Sequence, residues 1–448
     1  MKKKIICVLC AIALVVTAAG CSGNTAESTT TTVQNAVSEE KETEQGSETS
    51  AEPETDSPET TDAEETVEIP DDEPYVIENG ITARMKALST YVKGNQARLA
   101  KVFKKAQNGE KITVAYLGGS ITQGSSAGDG LCYSKLTTDW LMEKFPNAEI
   151  EYVRAGIGAT GSYIGVFRAD RDVISKNPDL VFIDFSVNDT TEYTQRNINS
   201  YDSLLRKLWN SSTSPAVVTI AMTQEDGTSF QQYHADICRA YQIPMISYRE
   251  AILDVINNGH IKWTDISDDN IHPNVTGHAV LTEIITSYLQ DVIDNLDNID
   301  TEKESDLSTP YTENKYENAN MLVPESYTPV ESTGWENNPN IFGNFGGYWT
   351  VRTKDGTFEG VSPLKFEVTN AKTIGLLYGK LTTAGGTFDV LVDGELAKTI
   401  DSSFPDGWGS YVEAEEIIDF DEPGNHTVEI VPQTGKKAVI NISAVTFA

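Results

Sequence analysis

Between Lys111 and about residue 295, short apolar runs alternate with amphipathic stretches, and this alternation constrains the fold more than any other feature of the chain. The runs at 113–117, 150–153, 180–185, 216–221 and 244–247 are continuous in apolar character, the mark of strands buried on both faces. Helical patterns lie between and after them at 133–145, 163–175, 201–208, 229–241 and 275–296. Strands joined through helices run parallel, so the expected unit is a three-layer α/β/α sandwich on a five-stranded parallel sheet. Sites in such sheets collect at the carboxyl ends of the strands. The residues that follow each run are therefore where chemistry is to be sought.

The first run ends in Gly118-Gly119-Ser120-Ile121-Thr122, with Gly124 beyond. A Ser between a strand and a helix start presents its hydroxyl at the open end of the sheet. Thr122 stands where a Gly-x-Ser-x-Gly elbow requires Gly, so the motif is a different one. The second run leads into Gly156-Ile157-Gly158-Ala159-Thr160-Gly161, a literal match to the dinucleotide fingerprint Gly-x-Gly-x-x-Gly. That reading is set aside. The turn follows the second strand, and no acidic residue ends the next strand at the ribose position, since Asp184 lies inside it. The third run continues into Ser186-Val187-Asn188-Asp189, by itself an ordinary helix-capping sequence. Ahead of the last helix comes Asp269-Asn270-Ile271-His272-Pro273. An Asp three residues before a His on one loop can fix the imidazole tautomer and leave the other ring nitrogen to deprotonate a serine. The chain has five His. His234 and His260 have no such setting, His278 falls one turn into a helix, and His426 falls in a strand.

Taken together, these four blocks resemble the SGNH/GDSL hydrolase family in a Gly-Gly-Ser-Ile-Thr variant, over about residues 110–292. The resemblance implies Ser120 as nucleophile, His272 as general base and Asp269 as the carboxylate that orients it. It implies an oxyanion hole from the Ser120 N–H, a backbone N–H at Gly158 or Ala159, and the Asn188 side chain, with Asp189 bracing the loop. The family chemistry is hydrolysis of an ester through an acyl-serine intermediate, and it requires no metal and no organic cofactor.

After Asp297 the pattern changes. Residues 298–331 are polar and read as a connector, which leaves 76–297 as the hydrolase unit. Residues 332–448 alternate strand and turn without helical periodicity, which predicts an antiparallel β-sandwich. Two hairpins are expected there, one at 388–392 turning at Asp393-Gly394 and one at 427–431 turning at Thr434-Gly435. Trp335, Tyr348, Trp349 and Trp408 are candidates for a sugar-stacking platform, although each taken singly reads more readily as core.

At the other end, Lys2–Lys4 and the apolar run 5–19 form a signal-peptide pattern closed by Ala18-Ala19-Gly20-Cys21. This resembles a bacterial lipoprotein cleavage box, which implies residues 1–21 as the signal, lipidation at Cys21 and attachment at the extracellular face of the cell membrane by that anchor alone. Residues 22–75 hold 17 Asp or Glu against one Lys and almost no aromatics, the composition of a self-repelling tether. The whole chain carries a net charge of −33, which argues against nucleic acid as a partner. Cys132 and Cys238, the Cys of the folded part, are too few for a disulfide framework. The expected substrate is a short acyl ester, foremost O-acetyl, on an extracellular polysaccharide or another small ester. A lipase or lysophospholipase, or a non-catalytic glycan-binding surface protein, is the alternative.

Overall fold

The computed structural model describes residues 68–448 apart from 191–193, 343–344, 354, 434 and 436. The expected signal, Cys21 and the expected tether as far as residue 67 lie outside the described residues, as does Thr434 of the second expected hairpin. In chain order the first part holds α1 (Ala83–Ser89), β1 (Thr90–Val92), α2 (Ala97–Gln107), β2 (Ile112–Gly118), α3 (Ser120–Gln123), α4 (Tyr133–Lys144), β3 (Ile150–Gly156), α5 (Ser162–Asp172) and β4 (Leu180–Asp184). It continues through α6 (Thr194–Trp209), β5 (Ala216–Ala221), α7 (Gln231–Tyr241), β6 (Met245–Ser247), α8 (Tyr248–Asn257), α9 (Trp263–Ile266) and α10 (Val275–Asp294).

Each apolar run became a strand, and side chains along it alternate between two cores. Val114 and Tyr116 point to the layer of α2, α4, α8 and α10, whereas Ala115 and Leu117 point to the layer of α5 and α6. The sheet has the order β1-β6-β5-β4-β2-β3, in which β2 to β6 are parallel. It is six-stranded and mostly parallel, where a five-stranded parallel sheet was expected. The extra strand is β1, three half-buried residues paired antiparallel to β6. It is too short to carry a periodicity. The winding reverses at β2, which lies between β3 and β4, and register sets Gly118 level with Gly156 and with Asp184. The residues that follow these three therefore emerge together at the switch point.

The expected tether ends earlier than residue 75. Tyr75 is buried, Asp72 pairs with His260, and Arg84 donates to Pro70 O, so residues 68–75 lie on the first part. The 298–331 stretch is likewise more than a connector. Asp202 accepts from Thr312 N (2.8 Å), Arg206 pairs with Glu317 (2.8 Å), and Tyr316 is buried.

The second part contains β7 (Asn320–Leu322), β8 (Glu336–Phe342), β9 (Gly346–Arg352), β10 (Leu364–Lys380), β11 (Thr387–Val392), β12 (Glu395–Asp401), β13 (Tyr411–Pro432) and β14 (Val439–Phe447). The expected two-sheet sandwich is instead one antiparallel sheet of order β12-β11-β13-β10-β14-β9-β8, with β7 on β14. Its two longest strands, β10 with 17 residues and β13 with 22, run through both halves. Irregularities between Val368 and Thr373 bend them, so the sheet closes over its own core. There Trp349 of β9 meets Phe366 of β10, and Phe388 of β11 meets Tyr378. The 388–392 hairpin is present as β11–β12, with Asp393 (φ 52°) and Gly394 (φ 83°) in a two-residue turn. The hairpin expected at 427–431 is absent, because β10 lies between β13 and β14. Cys132 and Cys238 are both free and buried, so they form no bridge.

One core belongs to both parts. The cluster under α5 and α6 also takes in Leu377, Val412, Ala414 and Ala444 of the second sheet, with Tyr316 between them.

Candidate active site

β2 stops at Gly118 because the next residues must turn sharply under a neighbouring loop. A Cβ on Gly119 would sit 2.1 Å from Asn188 Oδ1, so only glycine lets the β4 loop close over this turn. On the other side a Cβ on Gly156 would meet the Gln123 backbone N at 2.2 Å. The Gly156–Gly161 stretch, which matches a phosphate-binding fingerprint, is therefore packed against α3. Ser120 opens α3 and is half-buried.

Its Oγ lies 2.8 Å from His272 Nε2, and His272 Nδ1 lies 2.8 Å from Asp269 Oδ2. The other carboxylate oxygen of Asp269 accepts the N–H groups of Ile271 and His272, each at 2.7 Å. Trp263 Nε1 donates to the Asp269 carbonyl at 2.6 Å, and Asn274 caps α10 just downstream. The loop is thus held from both ends. Burial pushes the Asp269 carboxyl up, but the His272 and Ile271 donors outweigh it and hold the group below the usual carboxylate range. A carboxylate so placed keeps a proton on Nδ1 and leaves Nε2 to accept from the serine.

Asp–His pairing alone does not single out this site. Asp189 pairs with His234 (2.9 Å), Asp72 with His260 (3.0 Å) and Asp393 with His426 (2.7 Å). His278 accepts from the Tyr133 N–H at 3.1 Å. Among the described residues, His272 is the one whose second nitrogen meets a serine hydroxyl.

The expected oxyanion donors also converge on this turn. Gly158 N–H is engaged by Gln123 Oε1 at 2.8 Å. The Ala159 and Ser120 N–H groups have no hydrogen-bond acceptor among the described residues. Ala159 adopts φ 58°, a left-handed conformation that costs a non-glycine residue about 1 kcal/mol. Asn188 packs its Oδ1 over Gly119, which leaves the NH2 as the half of the amide free of that backbone. Asp189 is fully buried and caps α5 by accepting the Ser162 N–H at 2.8 Å.

Ser120, Gly158, Ala159, Asn188, Asp269 and His272 line a cavity of about 640 Å³, to which Trp408, Ser410 and Tyr411 of the second part also contribute a wall. Trp408 is 72% exposed and stacks on Tyr411 with ring centroids 4.9 Å apart. Of the four aromatics singled out from sequence, Trp408 alone reaches the cavity. Trp335 and Trp349 are core, and half-buried Tyr348 accepts from Asn338. Sequence reading missed Tyr411 and Gln123. The short Pro405-Asp406-Gly407-Trp408-Gly409 loop before Tyr411 was the available signal for the first. Nothing in the sequence marks the second.

A parallel α/β sheet carrying a Ser–His–Asp chain at its switch point is the arrangement of a serine hydrolase. The chain belongs to the GDSL-like lipase/acylhydrolase family, whose model matches residues 116–280. Among solved structures it is similar to a two-domain esterase active on acetylated mannans, co-crystallised with mannopentaose. The two are 31% identical, with 81% of this chain and 98% of that one covered and a TM-score of 0.71. Another structure of a two-domain esterase active on acetylated mannans is 30% identical over 83% of this chain and 98% of its own, again with a TM-score of 0.71. No curated protein matches the chain.

Proposed function

We propose that this chain is a carbohydrate esterase that removes short acyl groups, acetyl foremost, from an extracellular polysaccharide. One observation carries the reading: the Ser120–His272–Asp269 chain opens into a cavity walled by exposed Trp408 stacked on half-buried Tyr411. His272 Nε2 takes the Ser120 proton as Oγ attacks the ester carbonyl. The resulting oxyanion is met by the N–H groups of Ser120 and Ala159 and by the Asn188 amide. Collapse breaks the bond to the sugar oxygen, which receives the proton from His272. Water then repeats the sequence on the acyl-serine, with the same base.

Trp408 and Tyr411 offer flat faces of the kind that pack on sugar rings. The similar two-domain esterases act on acetylated mannans, which supports a polysaccharide of that type. Lipidation at Cys21 would hold the enzyme at the cell surface, where such substrates are met. Cys21→Ser should abolish labelling by a fatty-acid probe, and persistent labelling would remove the anchor from this account. The deciding experiment for the activity is hydrolysis of aryl esters of increasing chain length, with acetylated mannan alongside, by the wild type and Ser120→Ala. Ser120-dependent release that peaks at acetyl is expected. A preference for long chains would favour a lipase, and glycan binding without turnover would favour a non-catalytic surface protein.

A further inference from the structure

Arg168 lies in mid-α5, and its side chain is fully buried. Placing a guanidinium there is costly, since an apolar residue of like volume would pack the same space without desolvating a charge. Compensation is incomplete. The nearest carboxylate, Asp172, is 3.0 Å away, and Arg168 Nε has no partner among the described residues. The remaining N–H groups all go to one place. Nη1 donates to Ala155 O (2.7 Å), and Nη2 donates to Gly118 O (2.8 Å) and, at 3.5 Å, to Thr160 Oγ1. Gly118 O also accepts the Ile157 N–H at 3.0 Å. The guanidinium therefore joins the end of β2, the end of β3 and the loop that carries Ala159. From the opposite side Gln123 ties down Gly158.

We propose that Arg168 is a positioning residue for acyl transfer. It locks loop 156–160 onto the nucleophile turn so that the Ser120 and Ala159 N–H groups aim at one oxygen. The inference rests on Ser120 being the nucleophile. An oxyanion hole acts on the transition state more than on bound substrate, so loosening it lowers kcat and spares KM. A purely structural role would lower Tm and the fraction of active molecules, with kcat per active site unchanged.

The test compares Arg168→Lys, Arg168→Met and Asp172→Asn with the wild type in the full-length protein. Turnover of 4-nitrophenyl acetate is measured per active site, with sites counted by a fluorophosphonate and Tm recorded alongside. Arg168→Met is expected to lose about 100-fold in kcat per site and Arg168→Lys about 10-fold, because a misplaced donor costs rate steeply. Asp172→Asn, which only loosens the anchor, should fall in the same direction by less. KM should stay within about twofold of wild type in each. Wild-type kcat per site in Arg168→Lys and Asp172→Asn overturns the proposal. If the Arg168 variants do not fold, Asp172→Asn decides it alone. Wild-type turnover by Ser120→Ala would overturn the nucleophile assignment and this inference with it.

Discussion

Asp184, which closes β4 where the sequence placed it inside the strand, shows what a single residue beneath the nucleophile turn contributes. Burial pushes its carboxyl up to about 7, against a hydrogen bond from Thr122 and with a smaller push from Asp189. The folded state therefore keeps a proton that the unfolded chain releases near 3.8. Stability attributable to this group falls as pH rises from about 4 to about 7, by about 4 kcal/mol at the conversion of 1.4 kcal/mol per unit. His278 has the opposite slope. Burial lowers it from 6.5 to about 4, so its contribution is present above pH 6.5 and is lost as pH falls toward 4. In their shared window the two offset each other, and only a variant separates them. Asp184→Asn, which mimics the protonated acid, should raise Tm at pH 8 and do little at pH 4; an equal shift at both would refute the buried-acid account. At the site itself, Ser120→Ala should lower kcat by about a thousandfold or more, and Asn188→Ala by about a hundredfold, with Tm nearly unchanged. Steady-state kinetics on an activated acetyl ester checks both. The strand-end positions of Ser120, Asn188, Asp269 and His272 were legible because each follows an apolar run or precedes an apolar helix. Gln123 and Arg168 were not, since one reads as a surface polar residue and the other as an amphipathic-helix cation until the loops close around them.

Among the elements, those read correctly had a strong period or a strong turn. β2, β4 and β5 are continuous apolar runs, and the β11–β12 hairpin carries Asp393-Gly394. β1 was lost because three residues hold no pattern. α2 lies ahead of the first expected strand, and its buried positions, Leu99, Val102, Phe103 and Ala106, follow helical spacing. The single curled sheet could not be read either, because strand order depends on pairings far apart in sequence. β13 gave the period of a strand but no sign that β10 would separate it from β14. The segment from Phe404 to Tyr411 is the element whose chemistry is most separable from folding. Trp408 is mostly exposed, and its loss creates no cavity. Trp408→Ala should lower kcat/KM on acetylated mannan about tenfold, the worth of one stacked ring, and leave 4-nitrophenyl acetate turnover within about twofold. Equal losses on both substrates would mean that the ring shapes the site instead of holding sugar.

For the molecule as a whole, composition suggested two units joined by a connector, and the shared core departs from that picture. Removing the chain after residue 297 would strip Tyr316, Leu377, Val412 and Ala444 from the outer faces of α5 and α6. A truncated hydrolase half should therefore be insoluble or lose activity on small and large esters alike, as expression and ester assays will show. Retained turnover of 4-nitrophenyl acetate by a soluble fragment would show that the first part stands by itself. The same feature bears on redesign. Because β10, β13 and β14 fill a core begun by α5 and α6, the half that bears Trp408 is not a cassette that can be exchanged between hydrolases by joining chains at a linker. A change in what the cavity accepts is therefore expected from rewriting short rim segments such as the one bearing Trp408, with both halves kept together. An engineer who wants a different substrate should graft that rim and leave the sheet behind it alone.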